Sequence, residues 1–285
     1  MLELLAAAAL FTAQPTDQPN TRPDCAAPTG TDALLARPER ILVIPDWHGA
    51  VEIPAAFLGI VCEAAKQGPV TIALEMPETE RVLFRNALSA PTEEAARNTF
   101  LYGDFGNPRS TDGRNSLAML DMMVGFWRLK AAGHDVAIHP FMPVESVIRG
   151  RDQAWWELEM AYGISRALAN RPEARVLVFV GDLHARKTGY ERFPDIGTPA
   201  AGHLHASDTF TLTIANQGGA TWDCDPNGCG PQTRRGRYDP DARGIILGPV
   251  EDGAYDGVLA VGPTTASPPA ALQDQPAVTS SGSSS

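Results

Sequence analysis

The first candidate for chemistry is an acid–base pair in a short segment that follows an apolar run. Asp46 and His48 come soon after the run Ile41 to Ile44, and Glu52 lies four residues further on. A carboxylate beside a histidine fixes the imidazole tautomer and raises its basicity, which is a common way to build a base that activates water. Capping of the following helix by Asp46 or Glu52 is the structural alternative.

Glu75 is the second candidate, because it ends another apolar run, Val70 to Leu74. A carboxylate in such surroundings is poorly solvated, so the sequence predicts either a raised pKa or a cationic or metal partner. Arg114 follows Gly113 at a predicted helix start, where the helix dipole disfavours a cation. This position indicates an anionic partner such as Glu75. A purely structural ion pair is the alternative.

The motif Gly181-Asp182-Leu183-His184-Ala185-Arg186-Lys187 follows a third apolar run, Val176 to Val180, and holds the densest group of functional side chains. Its glycine lets the chain turn sharply off a buried strand, so that the charged groups stand at the strand's carboxyl end. Its histidine is the main candidate for the site. Its aspartate either joins the site or caps a helix.

Three more residues enter the set of candidates. Lys187 and Arg151 are cations that we assign to binding of a substrate or anion. His139 follows a fourth apolar run, Val136 to Ile138, and is either a ligand or a structural histidine.

The four runs alternate with segments in which apolar residues recur at helical spacing. This alternation predicts a mostly parallel sheet with helices on both faces, in which the carboxyl ends of the strands share one edge where ligands bind. Shorter pieces follow His205 and are expected to extend the sheet at one edge. The predicted elements are helices at 53–66, 78–88, 115–132 and 151–169, late strands at 209–215 and 257–261, and a long polar loop at 98–114 suited to a lid.

The composition predicts one domain with a leader and a tail. Residues 1–36 are expected to be a leader, with an apolar start that reads as a signal peptide or a frayed helix and a linker rich in proline. Residues 37–263 form the α/β domain, and residues 264–285 are of low complexity and expected to be disordered.

Charge and motifs exclude several function classes. Thirty-four acidic residues against 23 basic ones give a net charge of −11, which disfavours nucleic acid and anionic membranes as partners. No apolar run reaches the roughly 20 residues that span a bilayer. The sequence also lacks the G-x-S-x-G, P-loop, G-x-G-x-x-G and C-x-x-C-H motifs.

The four cysteines show no zinc-binding spacing. Cys224 and Cys229 flank a turn-forming sequence, so we predict a disulfide between them, and Cys25 and Cys62 form a second candidate pair. Disulfides persist in oxidising compartments. The sequence therefore favours a periplasmic or secreted protein, with a cytoplasmic one as the alternative.

Taken together, these motifs resemble those of the EreA/ChaN-like, or Tiki, superfamily, which includes erythromycin esterases, TraB-like proteins, Tiki-type metalloproteases and ChaN-type haem-binding lipoproteins. The resemblance spans about residues 40–187. The motifs that carry it are Asp46-x-His48-Gly49 with Glu52, Leu74-Glu75-Met76-Pro77, Gly113-Arg114 and Gly181-Asp182-Leu183-His184-Ala185.

This resemblance implies a three-layer Rossmann-like α/β core with a His/Glu site at the strand ends. In the esterase-like members a histidine of the first motif acts as a base toward water. By resemblance that role falls on His48, with Glu75 and His184 beside it. Asp46 stands where a glutamate is common, and its shorter side chain reaches less far toward a substrate or metal.

Two functions compete. The first is hydrolysis of an ester, lactone or peptide, in which His48 activates water, or a divalent metal held by His48, Glu75 and His184 does so. Arg114 or Lys187 would stabilise the oxyanion.

The second function is uptake or binding of haem or another small ligand without catalysis, with Tyr102 and Tyr162 as candidate axial ligands. Hydrolysis is preferred because the acids, bases and cations exceed what a haem pocket needs. An exported scaffold without a working site is a third interpretation.

Overall fold

A seven-stranded sheet forms the centre of the fold, as the alternation of strand and helix patterns predicts. The computed structural model describes residues 25–107, 109, 112–144, 152–226 and 228–272. In these ranges the helices are Thr31–Leu35 (α1), Glu52–Gln67 (α2), Arg81–Leu88 (α3), Glu93–Phe100 (α4), Leu117–Ala131 (α5) and Gln153–Asn170 (α6). The strands are Ile41–Asp46 (β1), Val70–Pro77 (β2), Val136–Met142 (β3), Arg175–Gly181 (β4), Thr209–Ile214 (β5), Gly219–Asp225 (β6), Gly228–Arg234 (β7), Gly244–Val250 (β8) and Tyr255–Ala260 (β9).

The strand order of the sheet is β3-β2-β4-β1-β5-β9-β8, and all neighbours pair in parallel except the edge strand β8, which runs antiparallel to β9. Strand β4 thus lies between β1 and β2. The mostly parallel α/β class is confirmed, together with a small C-terminal β extension, because β6 and β7 form a separate antiparallel hairpin.

The central strands β1, β2 and β4 contribute side chains to cores on both faces of the sheet. Leu42 and Ile44 of β1 pack toward α2 and α5, whereas Ile41 and Val43 belong to the core that includes α6. Because side chains alternate along a strand, continuously apolar strands can bury both faces only when helices cover both. This arrangement gives the three layers that the sequence predicts.

Local signals explain where the long helices begin and end. The Ser116 side chain accepts a hydrogen bond from the Met119 N–H at the start of α5, and Asp152 accepts one from the Trp155 N–H at the start of α6. Gly133, with φ of 91°, follows the last turn of α5 in the left-handed conformation that glycine adopts without strain.

The predicted polar loop at 98–114 differs from the structure in its first part. Helix α4 occupies residues 93–100, and Phe100 and Phe105 are fully buried. Two aromatic anchors hold this part in the core, so the interpretation as a lid does not apply to it. Strand β3 likewise continues to residue 142, because Pro140 falls within its pairing with β2.

The packed domain extends beyond residues 37–263 at both ends. Helix α1 lies in the expected leader, and its Leu34 and Leu35 are buried. In the expected disordered tail, Thr264 and Ser267 are buried, and the Ser267 N–H donates to the Gly49 carbonyl at 2.7 Å. These backbone bonds hold residues 264–272 against the domain despite their composition.

Two disulfides join Cys25 to Cys62 and Cys224 to Cys229. The second connects directly opposed positions of β6 and β7. In the ranges that the structure describes, no helix combines the length and apolar character needed to cross a membrane.

Candidate functional site

Three neighbouring strands bring the predicted residues to one place at the carboxyl edge of the sheet. Asp46 pairs with Gly181 at the ends of β1 and β4, and Glu75 lies near the end of the adjacent strand β2. Gly181 forms the floor between the functional groups. A Cβ atom there would lie 3.2 Å from His48 Nε2 and 3.3 Å from Glu75 Oε2.

Asp46 and His48 form the acid–base pair that their spacing predicts. His48 Nδ1 lies 2.7 Å from Oδ2 of the buried Asp46, so the ring presents Nε2 to the site. The His48 side chain keeps 29% of its surface exposed, which gives solvent access to it. Asp46 therefore orients His48 and does not cap α2.

His184 has a matching partner that the sequence analysis did not identify. Its Nδ1 lies 2.8 Å from both carboxylate oxygens of Glu157, a residue of α6 that is fully buried. Glu157 lies on the same helix face as the buried Met160, Ala161 and Ile164. A charged residue within an apolar helix stripe was the available signal, since buried carboxylates are rare unless paired.

Glu75 lies between the two imidazoles. Its Oε2 is 3.9 Å from His48 Nε2 and its Oε1 is 3.9 Å from His184 Nε2, while the Gly181 N–H donates to Oε2 at 2.6 Å. Burial raises the pKa of Glu75, but the charges of both histidines and of Arg114 outweigh it, so its pKa lies below the ordinary value. The predicted cationic partners are thus present.

The carboxylates of the site raise the pKa of both histidines. Burial lowers the pKa of His48, but the hydrogen bond to Asp46 and the charges of Asp46 and Glu75 outweigh it, so the pKa is raised. For His184, burial is likewise outweighed by the hydrogen bond to Glu157 and the charge of Glu75, and its pKa is raised. Both imidazoles are therefore stronger bases than a free histidine.

Arg114 completes the cluster from a short 3-10 turn before α5. Its Nη2 lies 3.9 Å from Glu75 Oε1, as its position in the sequence predicts. Arg114 Nε is buried and has no hydrogen-bond partner among the described residues. The Arg114 side chain as a whole is 35% exposed, so the outer part of the guanidinium is open to a ligand beside Glu75.

Close backbone packing holds Arg114 and His48 in this position. A Cβ on Gly113 would lie 2.4 Å from the Gly49 backbone, and a Cβ on Gly49 would lie 2.3 Å from the Trp222 carbonyl. Gly49 also has φ of 76°, which favours glycine. Trp222 belongs to β6, so the hairpin of β6 and β7 packs against the loop that carries His48.

The structure places the other predicted residues outside the cluster. Lys187 pairs with Asp256 of β9 at 2.5 Å. Asp182 faces β5, where Thr213 donates to it at 3.3 Å, and burial raises its pKa to about 6. Arg151 falls outside the described residues. Glu52 accepts the Thr265 N–H and is structural.

His139 is a structural histidine. Its Nε2 lies 3.1 Å from the Gly163 carbonyl, and its Nδ1 faces Arg81. Burial and the charges of Arg81 and Arg166 lower its pKa to about 4. It is therefore neutral at pH 7 and ties β3 to α6.

The three candidate ligands do not fit a resident metal ion. Across the part of the chain that the structure describes, no three His, Cys, Asp or Glu side chains converge with metal-binding geometry. Arg114 also holds a fixed positive charge 3.9 Å from Glu75, which opposes a divalent cation at that carboxylate.

Comparison with known proteins bears on the fold. The sequence matches no protein-family model and no curated protein. A succinoglycan biosynthesis protein, 8% identical, aligns over 84% of this chain and 91% of its own with a TM-score of 0.58. A Bacillus cereus protein, 13% identical, aligns over 85% and 92% with a TM-score of 0.57. The type III effector HopBA1, 15% identical, aligns over 82% and 93% with a TM-score of 0.50.

The sheet, with helices on both faces, agrees with the three-layer α/β architecture that the EreA/ChaN-like resemblance implies. Erythromycin esterase EreC and ChaN of Campylobacter jejuni are more distantly similar, with TM-scores of 0.49 and 0.43. At these identities the similarities concern the fold alone. A shared fold does not imply a shared function, which depends on the residues of the site.

Proposed function

We propose that this chain is a hydrolase that activates water with His48 at the carboxyl edge of the sheet. The observation that carries the proposal is a pair of imidazoles, each held by its own carboxylate, that face the two oxygens of the buried Glu75. Two oriented bases beside a guanidinium are what attack of water on a carbonyl group needs. Binding without chemistry does not need these proton carriers.

In the proposed reaction, His48 Nε2 takes a proton from water while the water oxygen bonds to the carbonyl carbon of an ester, lactone or peptide. Asp46 accepts the Nδ1–H of His48, which keeps the lone pair on Nε2 and stabilises the imidazolium that forms. The carbonyl oxygen becomes an oxyanion. The bond to the leaving group then breaks, and the departing alcohol or amine takes up a proton from an imidazolium.

Arg114 and Glu75 supply the electrostatic part of the reaction. The Arg114 guanidinium, which is part-exposed beside Glu75, stabilises the oxyanion. Glu75, with its lowered pKa, stays ionised and holds the two imidazoles and the guanidinium around the water. Removing one donor to an oxyanion typically costs about 10²- to 10³-fold in kcat, so we expect that loss for Arg114→Ala.

Haem binding has no comparable support in the described residues. Tyr102 and Tyr162 are 83% and 61% exposed, and the Tyr162 ring packs against the Arg166 guanidinium. Neither tyrosine belongs to the cluster around Glu75. We therefore keep haem only as an outcome of the test.

The test is a substrate screen with site variants. The protein is assayed against a panel of esters, lactones and peptides in the presence of a chelator. We expect turnover that His48→Ala and His184→Ala each reduce by about 10²-fold or more, because each removes a proton carrier. His205→Ala is the matched control, because this histidine is largely exposed and lies outside the site.

Circular dichroism of each variant separates lost chemistry from lost folding. Turnover that survives both site substitutions in folded protein would overturn the proposal. A Soret shift on addition of haem, without turnover of any panel member, would favour the binding function instead.

We further propose that the protein works in the periplasm or outside the cell, on a small-molecule or peptide substrate. The two disulfides support this location, since stable disulfides form in oxidising compartments. Cell fractionation with a tagged full-length chain tests it, and recovery of reduced protein in the cytosol alone would contradict it.

A further inference from the structure

We propose that Glu157 is a positioning residue for the reaction, which fixes the tautomer and orientation of His184 so that His184 Nε2 faces Glu75 and the reacting groups. This inference rests on the proposed hydrolase function for its kinetic consequence. Its structural content, the tautomer of His184, stands independently of any substrate.

The contacts of Glu157 identify it as a hydrogen-bond acceptor. The Ala200 N–H donates to its Oε2 at 2.9 Å, and the Gln153 side-chain amide donates to its Oε1 at 2.7 Å. His184 Nδ1 lies 2.8 Å from each oxygen. A carboxylate that accepts from two other donors requires a proton on the facing ring nitrogen, so the geometry assigns the Nδ1–H tautomer to neutral His184.

This tautomer decides what His184 can do at the site. With Nδ1–H committed to Glu157, only Nε2 can exchange a proton with the substrate, and Nε2 lies 3.9 Å from Glu75 Oε1. The opposite tautomer would place a fixed N–H at the site and remove the proton acceptor there. Glu157 thus serves His184 as Asp46 serves His48.

The burial of Glu157 indicates a role beyond a surface ion pair. It is fully buried at the end of the sheet, where an ionised group is costly unless well paired. Its two oxygens connect α6, the Ala200 turn and His184, and the Ala201 N–H also donates to the His184 carbonyl at 3.0 Å. Glu157 therefore holds the His184 ring directly, and it also holds the turn whose next residue, Ala201, bonds the His184 backbone.

The experiment uses nitrogen-15-labelled histidine in the full chain. Two-bond proton–nitrogen spectra report which ring nitrogen of each histidine carries the proton, and the signal missing from His184→Ala assigns the residue. In the wild-type protein at high pH, we expect neutral His184 to carry its proton on Nδ1. An Nε2–H tautomer in the wild-type protein would overturn the proposal, whether or not any variant folds.

Glu157→Gln tests the cause. The variant's carbonyl oxygen must still accept the Ala200 N–H, which turns its NH2 group toward His184 Nδ1 and favours the Nε2–H tautomer. We expect this change of tautomer, together with a fall in kcat of about 10²- to 10⁴-fold at nearly unchanged KM. Glu159→Gln, on the same helix, is the matched control and should retain the wild-type tautomer and kcat.

The two readouts separate this inference from the proposed function. Folded Glu157→Gln with the Nδ1–H tautomer and wild-type kcat would overturn the positioning role. A changed tautomer in a protein that hydrolyses nothing in the panel would support the positioning of His184 and count against the hydrolase proposal alone.

Discussion

At the residue scale, the candidate site consists of one buried carboxylate that faces two imidazoles and one guanidinium. Glu75 raises the pKa of both His48 and His184, and their charges in turn keep its own pKa low. Such mutual dependence means that a change in one group appears in the titration of the others. The pH dependence of the proposed reaction should therefore change when the charge of Glu75 is removed.

Glu75→Gln should move the acidic limb of the pH profile of kcat/KM toward lower pH. In the wild-type protein this limb reports loss of the neutral base, and it lies at higher pH than an ordinary histidine would give, because the hydrogen bond to Asp46, the charge of Asp46 and, in addition, the charge of Glu75 raise the pKa of His48. Removing that charge lowers the pKa, so the base stays neutral to lower pH. Glu63→Gln, a surface carboxylate paired with Lys66, is the control. An unmoved limb would show that the titrating base is not beside Glu75.

Gly181→Ala should reduce turnover while leaving the protein folded. The added methyl group would lie 3.2 to 3.4 Å from His48 Nε2, Glu75 Oε2 and His184 Cδ2, so these groups must shift by a few tenths of an ångström. Displacements of about 1 Å can cost about 100-fold in rate, so we expect a loss of roughly 10-fold or more. Gly230→Ala, where a Cβ meets nothing within 4 Å, is the control, and equal activities of the two variants would contradict the geometry.

Sequence reasoning found one half of the acid–base machinery and missed the other for a physical reason. Asp46 and His48 are two residues apart, so their pairing is local and visible in the sequence. Glu157 and His184 are 27 residues apart and meet only because α6 packs beside the end of β4. The ion pair of Lys187 was hidden for the same reason, since its partner Asp256 comes from a later strand.

At the element scale, the segment after β9 supports the loop that carries His48. The Val51 N–H donates to the Thr265 carbonyl at 3.0 Å, and the Ser267 N–H donates to the Gly49 carbonyl at 2.7 Å. The composition of this segment, rich in serine, threonine and proline, predicted disorder. Backbone hydrogen bonds to other elements do not depend on side-chain type, which is why composition alone could not reveal them.

Ser267→Ala should destabilise the protein by about 1 kcal/mol, because the buried hydroxyl of Ser267 accepts the Ala118 N–H in the first turn of α5 at 3.0 Å. An N–H left without its acceptor costs about that much. Denaturant unfolding measures the change, and Ser207→Ala, at an exposed position, is the control. If both variants unfold alike, the Ser267 bond contributes nothing to the anchoring of α5.

At the scale of the whole molecule, the strand order explains why residues far apart in sequence share one site. Strand β4 inserts between β1 and β2, so the third apolar run ends between the first two. The alternation of strands and helices predicts the parallel sheet, but it does not give the strand order. The sequence predicted that His48, Glu75 and His184 lie at one edge of the sheet. Their contacts depend on the strand order, which the sequence pattern does not give.

The two disulfides should contribute unequally to the stability of the whole molecule. Cys25 and Cys62 are 37 residues apart and fasten the segment before α1 to α2, whereas Cys224 and Cys229 are 5 residues apart within the hairpin. Closing the longer loop restricts the unfolded chain more, which gives about 4 kcal/mol for the first disulfide and about 2 kcal/mol for the second.

Paired Cys→Ala variants measure this difference by denaturant unfolding. We expect the Cys25→Ala/Cys62→Ala protein to lose more free energy of unfolding than the Cys224→Ala/Cys229→Ala protein, and each variant serves as the control for the other. Reducing agent should bring the wild-type protein below both. A larger loss from the hairpin pair would mean that this disulfide stabilises the folded state directly, through the strands that seal the His48 loop, and not through the entropy of the unfolded chain.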